Sequence, residues 1–200
     1  LSSAVEVNQE NFPQNDNHMV IQADINDMPF EDGVFDVVVC LGVIQHTPSS
    51  EETIKNLYRL VKSGGSLVID HYTFSKSNLF RLAPLYRIGL RKKTASETIP
   101  ITQRMVKKYL PLYKKFRHNK IITLILNRLT PLVTYYNTLP QLSDQHQEEW
   151  AFLDTHDSLT DWYKNIRSKK QIVTTLTSLG ATDVWCEHGG NGVEARCKKP

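Results

Sequence analysis

From Val20 to Tyr72 the apolar and polar positions fall into blocks that read strand, acidic turn, strand, helix, strand. Phe35 to Leu41 is almost wholly apolar and rich in Val, which predicts a strand buried on both faces at the centre of a parallel sheet. Thr47-Pro48-Ser49-Ser50 supplies a turn and an N-cap, and Glu51 and Glu52 fall in the first helical turn, where negative charge offsets the positive end of the helix dipole. Ile54, Leu57, Tyr58 and Val61 recur at helical spacing, and Ser63-Gly64-Gly65 is expected to stop the helix. Ser66 to Tyr72 is a second strand, so the unit reads as βαβ with parallel pairing.

The flanks are read in the same way. Ser2 or Ser3 caps a short helix running to about Phe12, Pro13 to His18 is a polar turn, and Val20 to Ala23 is a short strand ending at Asp24. Beyond Tyr72 the pattern becomes helical: Asn78 to Arg91, Thr102 to Arg117 bent or split by Pro111, and Asn119 to Tyr136 interrupted at Pro131. Glu148 to Tyr163 reads as a connection back to the core. Ser168 caps a helix through Leu179 that carries Ile172, Val173, Leu176 and Leu179 on one face and ends at Gly180. Thr182 to His188 and Val193 to Lys198 are the last strands, joined at Gly189-Gly190-Asn191-Gly192. Those residues accept positive φ and no helix follows them, which predicts an antiparallel hairpin and not a phosphate loop.

These blocks, in order, resemble the class I S-adenosylmethionine-dependent methyltransferases. The resemblance is carried by Ala23-Asp24-Ile25 with Met28-Pro29-Phe30, by Phe35-Asp36-Val37-Val38, by Leu41-Gly42-Val43-Ile44-Gln45-His46, and by Lys62-Ser63-Gly64-Gly65-Ser66-Leu67. It implies an α/β, Rossmann-like methyltransferase fold with a partial sheet and a helical cap inserted between strand 5 and the following helix. In the family's strand order, 3-2-1-4-5-7-6, the strand at Val20 to Ala23 would lack its partner, and a lone strand is not stable in water. The expectation is therefore a fragment without the glycine-rich loop, with residues 1–75 as the central part of the core, 76–160 as a basic helical insertion, and 161–200 as the C-terminal helix and hairpin. The antiparallel finish separates this pattern from nicotinamide-binding domains.

Charge changes the picture of the insertion. Lys76 to Arg128 holds 14 Lys and Arg against one acid, Glu97, whereas the whole chain has a net charge of only +3. A strongly dipolar molecule follows, and basic residues interleaved with Leu, Ile, Phe and Tyr suit an anionic acceptor or an anionic membrane surface. The bland alternative is a solvated face on a helical cap. The three cysteines, Cys40, Cys186 and Cys197, sit inside apolar patterns, which fits core positions in a reducing cytoplasm. No run has the length and purity of a membrane span, and Leu1 opens directly into polar sequence without an apolar leader. A cytoplasmic protein, peripheral to the membrane through its basic helices, is expected.

Candidate chemistry follows from these placements. Asp24, at a strand's carboxyl end, is placed to accept from an exocyclic amine, and the resemblance turns it toward the adenine of the cofactor. Capping of the Asn26-Asp27 turn is the competing role. The resemblance assigns cofactor contacts to Ile25, Leu41, Gly42 and Gln45 as well, with the Gly42 backbone near the methionine part because glycine has no side chain to clash. His46 is the candidate general base, with a structural hydrogen bond to the loop as the alternative. Asp70, His71 and Tyr72 are candidates for the substrate side, as are His156, Asp157 and Tyr163, although a capping Asp and a packed Tyr account for the last two. The histidines are scattered, with no i, i+4 pair beside a carboxylate, so no metal site is expected.

Methyl transfer to a small-molecule or lipid-linked acceptor is the leading function, with S-adenosylmethionine as cofactor. The alternatives are a nucleic-acid methyltransferase, disfavoured by Val43-Ile44-Gln45-His46 where an Asn-Pro-Pro-aromatic motif would stand, and a non-catalytic methyltransferase-like scaffold.

Overall fold

The computed structural model describes residues 4–75, 80–190 and 192–200. The chain divides into two compact units, an α/β unit of Leu1–Phe74 with Asn165–Pro200 and a helical unit of Ser75–Lys164.

The α/β unit contains helix α1 (Ala4–Asn11), strand β1 (Phe35–Cys40), a 3-10 turn (Ile44–His46), α2 (Ser50–Leu60), β2 (Val61–His71), α7 (Lys169–Ser178), β3 (Thr182–Gly189) and β4 (Gly192–Lys198). The sheet order is β1-β2-β4-β3. β1 and β2 pair in parallel, with Val38 opposite Leu67 and Cys40 opposite Ile69, as expected for a βαβ unit joined through α2. β4 lies antiparallel between β2 and β3. The expected hairpin therefore forms, and the order matches strands 4-5-7-6 of the family. Ser49 caps α2 by accepting from the Glu52 amide. Ser168 caps α7 in a reciprocal box with Gln171.

One core fills the face of the sheet that α2 and α7 cover, built on Ile44, Ile54, Leu57, Leu67, Ile69 and Leu176. All three cysteines are buried there as free thiols. Burial, followed by the nearby Asp70 carboxylate, pushes the Cys40 thiol up to about 11, so it packs as a neutral group.

Three expectations are corrected in this unit. β1 is an edge strand, with its second edge unpaired among the described residues. Its outer face carries Val37 and Val39 at 57% and 59% exposure, because packed helices reach only the Val38 and Cys40 side. Val20 to Ala23 forms no strand, since among the described residues nothing lies alongside to supply a ladder; only a tight Asp24–Asp27 bridge follows it. The helix stops at Leu60, and β2 begins at once with an irregularity between the Phe35–Val61 and Val37–Ser66 pairs that accommodates Lys62–Gly65. The proposed caps Ser2 and Ser3 lie outside the described residues.

The helical unit contains α3 (Ala83–Leu90), α4 (Ala95–Phe116), α5 (Lys120–Leu129) and α6 (Asp144–Thr160). Val106, Leu110 and Tyr113 of α4 pack with Leu132, Tyr136 and Ala151. The Tyr113 hydroxyl meets Thr130 Oγ1 at 2.8 Å, and the Val133 amide donates to Thr155 Oγ1 at 2.9 Å. α4 starts earlier than expected, from a capping box between Thr94 and Glu97, and continues through Pro100 and Pro111. The expected connection at Glu148 to Tyr163 is instead mostly helix, running through Thr160 with Asp161 as its C-cap. Its apolar residues do not form a clean stripe, so its periodicity is weak, and packing against α4 decides it. The first residues of the expected Asn78 to Arg91 helix lie outside the described ones.

Gly65 allows β1 and β2 to approach. A methyl group there would lie 2.7 Å from the Asp36 carbonyl oxygen and 2.9 Å from a Val61 methyl. Gly65→Ala is expected to destabilise the α/β unit by about 1–3 kcal/mol through overpacking. Urea unfolding monitored by circular dichroism measures this, and an unchanged midpoint would contradict the close-approach account.

Candidate functional site

The carboxyl ends of β1 and β2 lie side by side, and the residues just beyond them form a connected polar cluster. Gly42 adopts φ 73°, a left-handed conformation suited to glycine, and its amide donates to Asp70 Oδ1 at 2.6 Å. Asp70 is 7% exposed, so a carboxylate at the end of β2 fixes the backbone leaving β1. A side chain added at Gly42 would meet nothing within 4 Å, and the neighbouring Leu41 side chain is exposed. The backbone here is both held and open.

The 3-10 turn that follows places Gln45 fully inside the protein. Its carbonyl accepts from the Asn165 amide at 2.9 Å, whereas both polar atoms of its side-chain amide lack hydrogen-bond partners among the described residues. An unsatisfied buried amide costs about 1–3 kcal/mol. His46 is half-buried, and its ring meets the Tyr72 ring edge to face with centroids 5.4 Å apart.

His71 is fully buried. Nε2 lies 2.8 Å from Ser50 Oγ and Nδ1 lies 2.8 Å from the Tyr72 carbonyl oxygen. With both ring nitrogens engaged inside the unit, His71 serves to tie the start of α2 to the end of β2 rather than to face a substrate. The Tyr72 carbonyl also accepts from the Arg167 amide at 2.9 Å. The Arg167 guanidinium grips Glu51 through two bonds, Nε to Oε1 at 2.5 Å and Nη2 to Oε2 at 2.8 Å, and Asn165 Nδ2 donates to the Thr47 carbonyl at 2.7 Å. The segment returning from the helical unit thus straps together the loops after β1 and β2. Neither Asn165 nor Arg167 carries a local sequence signal for this role.

Asp24 is exposed, and its Oδ1 accepts from the Asn26 amide at 2.8 Å; the turn-capping role is thereby realised. Asn26 in turn accepts from Thr53 of α2, which fixes the turn. Ile25 packs against the core. His156 and Tyr163 belong to the helical unit. The His156 ring stacks on Phe152 at 5.8 Å, and burial lowers its pKa against the pull of Asp161. Tyr163 is partly exposed.

Residues 2–69 match the family model described as a methyltransferase domain. A tRNA U34 carboxymethyltransferase of Helicobacter acinonychis is 56% identical over 36 residues, which are 18% of this chain and 14% of that protein. A sterol 4-C-methyltransferase of Caenorhabditis elegans is 30% identical over 76 residues, 36% of this chain and 22% of that protein. Over this stretch the chain is similar to methyltransferase domains. The chain spans less than a quarter of either relative. Among solved structures, human N-acetylserotonin methyltransferase in complex with its S-adenosylmethionine aligns with 100% of this chain and 39% of that one, at 11% identity and a TM-score of 0.47. A methyltransferase from Methanosarcina mazei aligns over 100% and 78%, at 13% identity and a TM-score of 0.44. The likeness rests on the sequence matches, and the family model ends at Ile69.

The strap should make the α/β unit sensitive to acid. Burial holds the His71 imidazole below its ordinary 6.5, only partly offset by its bond to the Tyr72 carbonyl. The Arg167 hydrogen bond holds the Glu51 carboxyl below its ordinary 4.5. Each group binds fewer protons folded than unfolded, so its contribution is complete above the unfolded value and is lost as pH falls through the lowered one. The thermal midpoint is expected to drop as pH falls below 6.5 and again below 4.5. His71→Gln should flatten the first step without removing it, since burial lowers the His156 imidazole from the same ordinary value. Thermal scans across that range check this, and an unaltered first step in the variant would refute the role given to His71.

Proposed function

We propose that the protein carrying this chain transfers a methyl group from S-adenosylmethionine to a small or lipid-linked acceptor. The observation that carries this reading is the open, left-handed backbone at Gly42, held by Asp70 and free of any atom where a side chain would stand. A ligand can approach such a backbone closely. Three residues on, the buried amide of Gln45 has no hydrogen-bond partner among the described residues. These groups fit the cofactor: Gly42 and Leu41 would flank its methionine part, Gln45 would hydrogen-bond it, and Asp24 and Ile25 would hold the adenine side. When bound, the sulfonium supplies an already activated methyl group.

The chain's own residues then have two tasks, orienting the acceptor and handling its proton. His46, oriented by the edge of Tyr72, would accept the proton as a general base. The basic, apolar surface of the helical unit suits a lipid-linked acceptor.

Calorimetric titration with S-adenosylmethionine tests the reading. Gly42→Val should weaken binding at least about tenfold, equivalent to ~1.4 kcal/mol, because the added side chain occupies the approach and the left-handed backbone disfavours it. Asp70→Asn should weaken it too, by exchanging a charged acceptor for a neutral one. His46→Ala should leave binding unaltered while lowering turnover by about 10²–10⁴. Absence of binding by the parent protein, or equal affinity in the Gly42 variant, would sink the proposal.

A further inference from the structure

Helix α5 is apolar on its outer side as well as its inner one. Leu126 turns toward the core of the helical unit, whereas Ile121, Leu124, Ile125 and Leu129 form a stripe along one exposed face, with Ile121 at 72% exposure. No residue of α5 is fully buried. A helix that faces water carries polar residues at these positions.

The start of α3 continues the surface. The Leu82 amide donates to the Arg128 carbonyl at 2.8 Å and Arg81 Nε donates to the Asn127 carbonyl at 3.1 Å, which sets α3 against the end of α5. Here Phe80 is 84% exposed, and Leu85 and Ile88 also face outward. Two adjoining segments thus present large aliphatic and aromatic side chains that the packing of their own unit does not use.

Cations surround these apolar groups. Arg117, His118 and Lys120 share with Leu124 the rim of a shallow depression of about 530 Å³, and Arg91, Lys92 and Lys93 follow α3. Residues 80–129 hold 13 Lys and Arg and one acid, Glu97, which is occupied by Thr94 and Lys93 in the cap of α4.

We infer that the α3–α5 face docks on an anionic lipid leaflet, with Ile121, Leu124, Ile125 and Phe80 entering the boundary between headgroups and acyl chains. Arg117, Lys120, Arg91 and Lys92 pair with lipid phosphates. Among the described residues no helix is long and apolar enough to cross a membrane, so α5, ~15 Å long at 1.5 Å per residue, lies in the interfacial plane. Charge selects this occupant. A second copy of the same face would bring cation against cation. A nucleic acid would engage the cations but gain little from an aliphatic stripe, since bases stack on aromatic rings. An anionic leaflet satisfies both, each nearby Lys or Arg adding roughly 1 kcal/mol of attraction.

Vesicle binding requires no cofactor, so this inference stands or falls separately from the methyl-transfer reading. The test is co-sedimentation of the protein with phosphatidylcholine vesicles, alone or with phosphatidylglycerol. Binding should require phosphatidylglycerol and should fall at least tenfold as salt rises from about 0.1 M to about 1 M, where the screening length shrinks from about 10 Å to about 3 Å. The combined change Ile121→Ser, Leu124→Ser and Ile125→Ser should lower binding at least tenfold with an unaltered far-ultraviolet spectrum, because these side chains are exposed. In a second measurement, a polarity-sensitive fluorophore attached through Ile121→Cys should shift to the blue on anionic vesicles; the native cysteines are buried and remain unlabelled. Undiminished vesicle binding by the serine variant, or no spectral shift on bound protein, would overturn insertion. So would a parent protein that ignores vesicles yet retards a polyuridylate probe or self-associates through this face.

Discussion

The carbonyl of Tyr72 is where the α/β unit is joined. It accepts from the buried His71 ring and from the Arg167 backbone, while the same His71 reaches Ser50 and the same Arg167 reaches Glu51. The end of β2, the start of α2 and the returning segment are therefore tied through one acceptor. Inside a protein such bonds gain strength from the low dielectric, and an unpaired member costs correspondingly more. The cluster must be kept whole, and in being kept whole it holds the loops after β1 and β2 in register.

That rigidity has a functional counterpart. The Asp70–Gly42 bond sits next in the chain to His71, so the backbone proposed to receive the cofactor is positioned by the same strand end that carries the joint. Gln45 is held through its main chain by Asn165 while its side-chain amide has no partner among the described residues. A buried side-chain amide without a partner calls for an explanation, and a bound ligand is the one proposed. Binding groups that are already oriented lose less freedom on association.

The two units show contrasting ways of using apolar surface. In the α/β unit, the side of the sheet covered by α2 and α7 is close-packed, and the opposite side of β1 leaves Val37 and Val39 exposed. In the helical unit, the interior gathers Val106, Leu110 and Tyr113 with Leu132 and Tyr136, and further apolar side chains of α3 and α5 stay outside among cations. Exposed apolar groups at helical spacing, concentrated with one sign of charge, mark a surface shaped by what it meets.

Local pattern determined much of this protein. The strand at Phe35, the helix capped by Ser49, the strand through Val68, the cap at Ser168 and the closing hairpin were all legible, because periodicity, caps and glycine-rich turns act within a few residues. The family likeness was legible for the same reason. Whether β1 lay at an edge or in the centre was not, since an apolar run states that a strand can be buried and not which of its edges is paired. Helix α6 was hidden because its apolar residues make no clean stripe. The joint at Tyr72 belongs wholly to the tertiary structure. Gly42 meets Asp70 across 28 positions, Glu51 meets Arg167 across 116 and Thr47 meets Asn165 across 118. No window of sequence spans such separations, so only the folded backbone could bring the residues His71, Asn165 and Arg167 together as supports of the site.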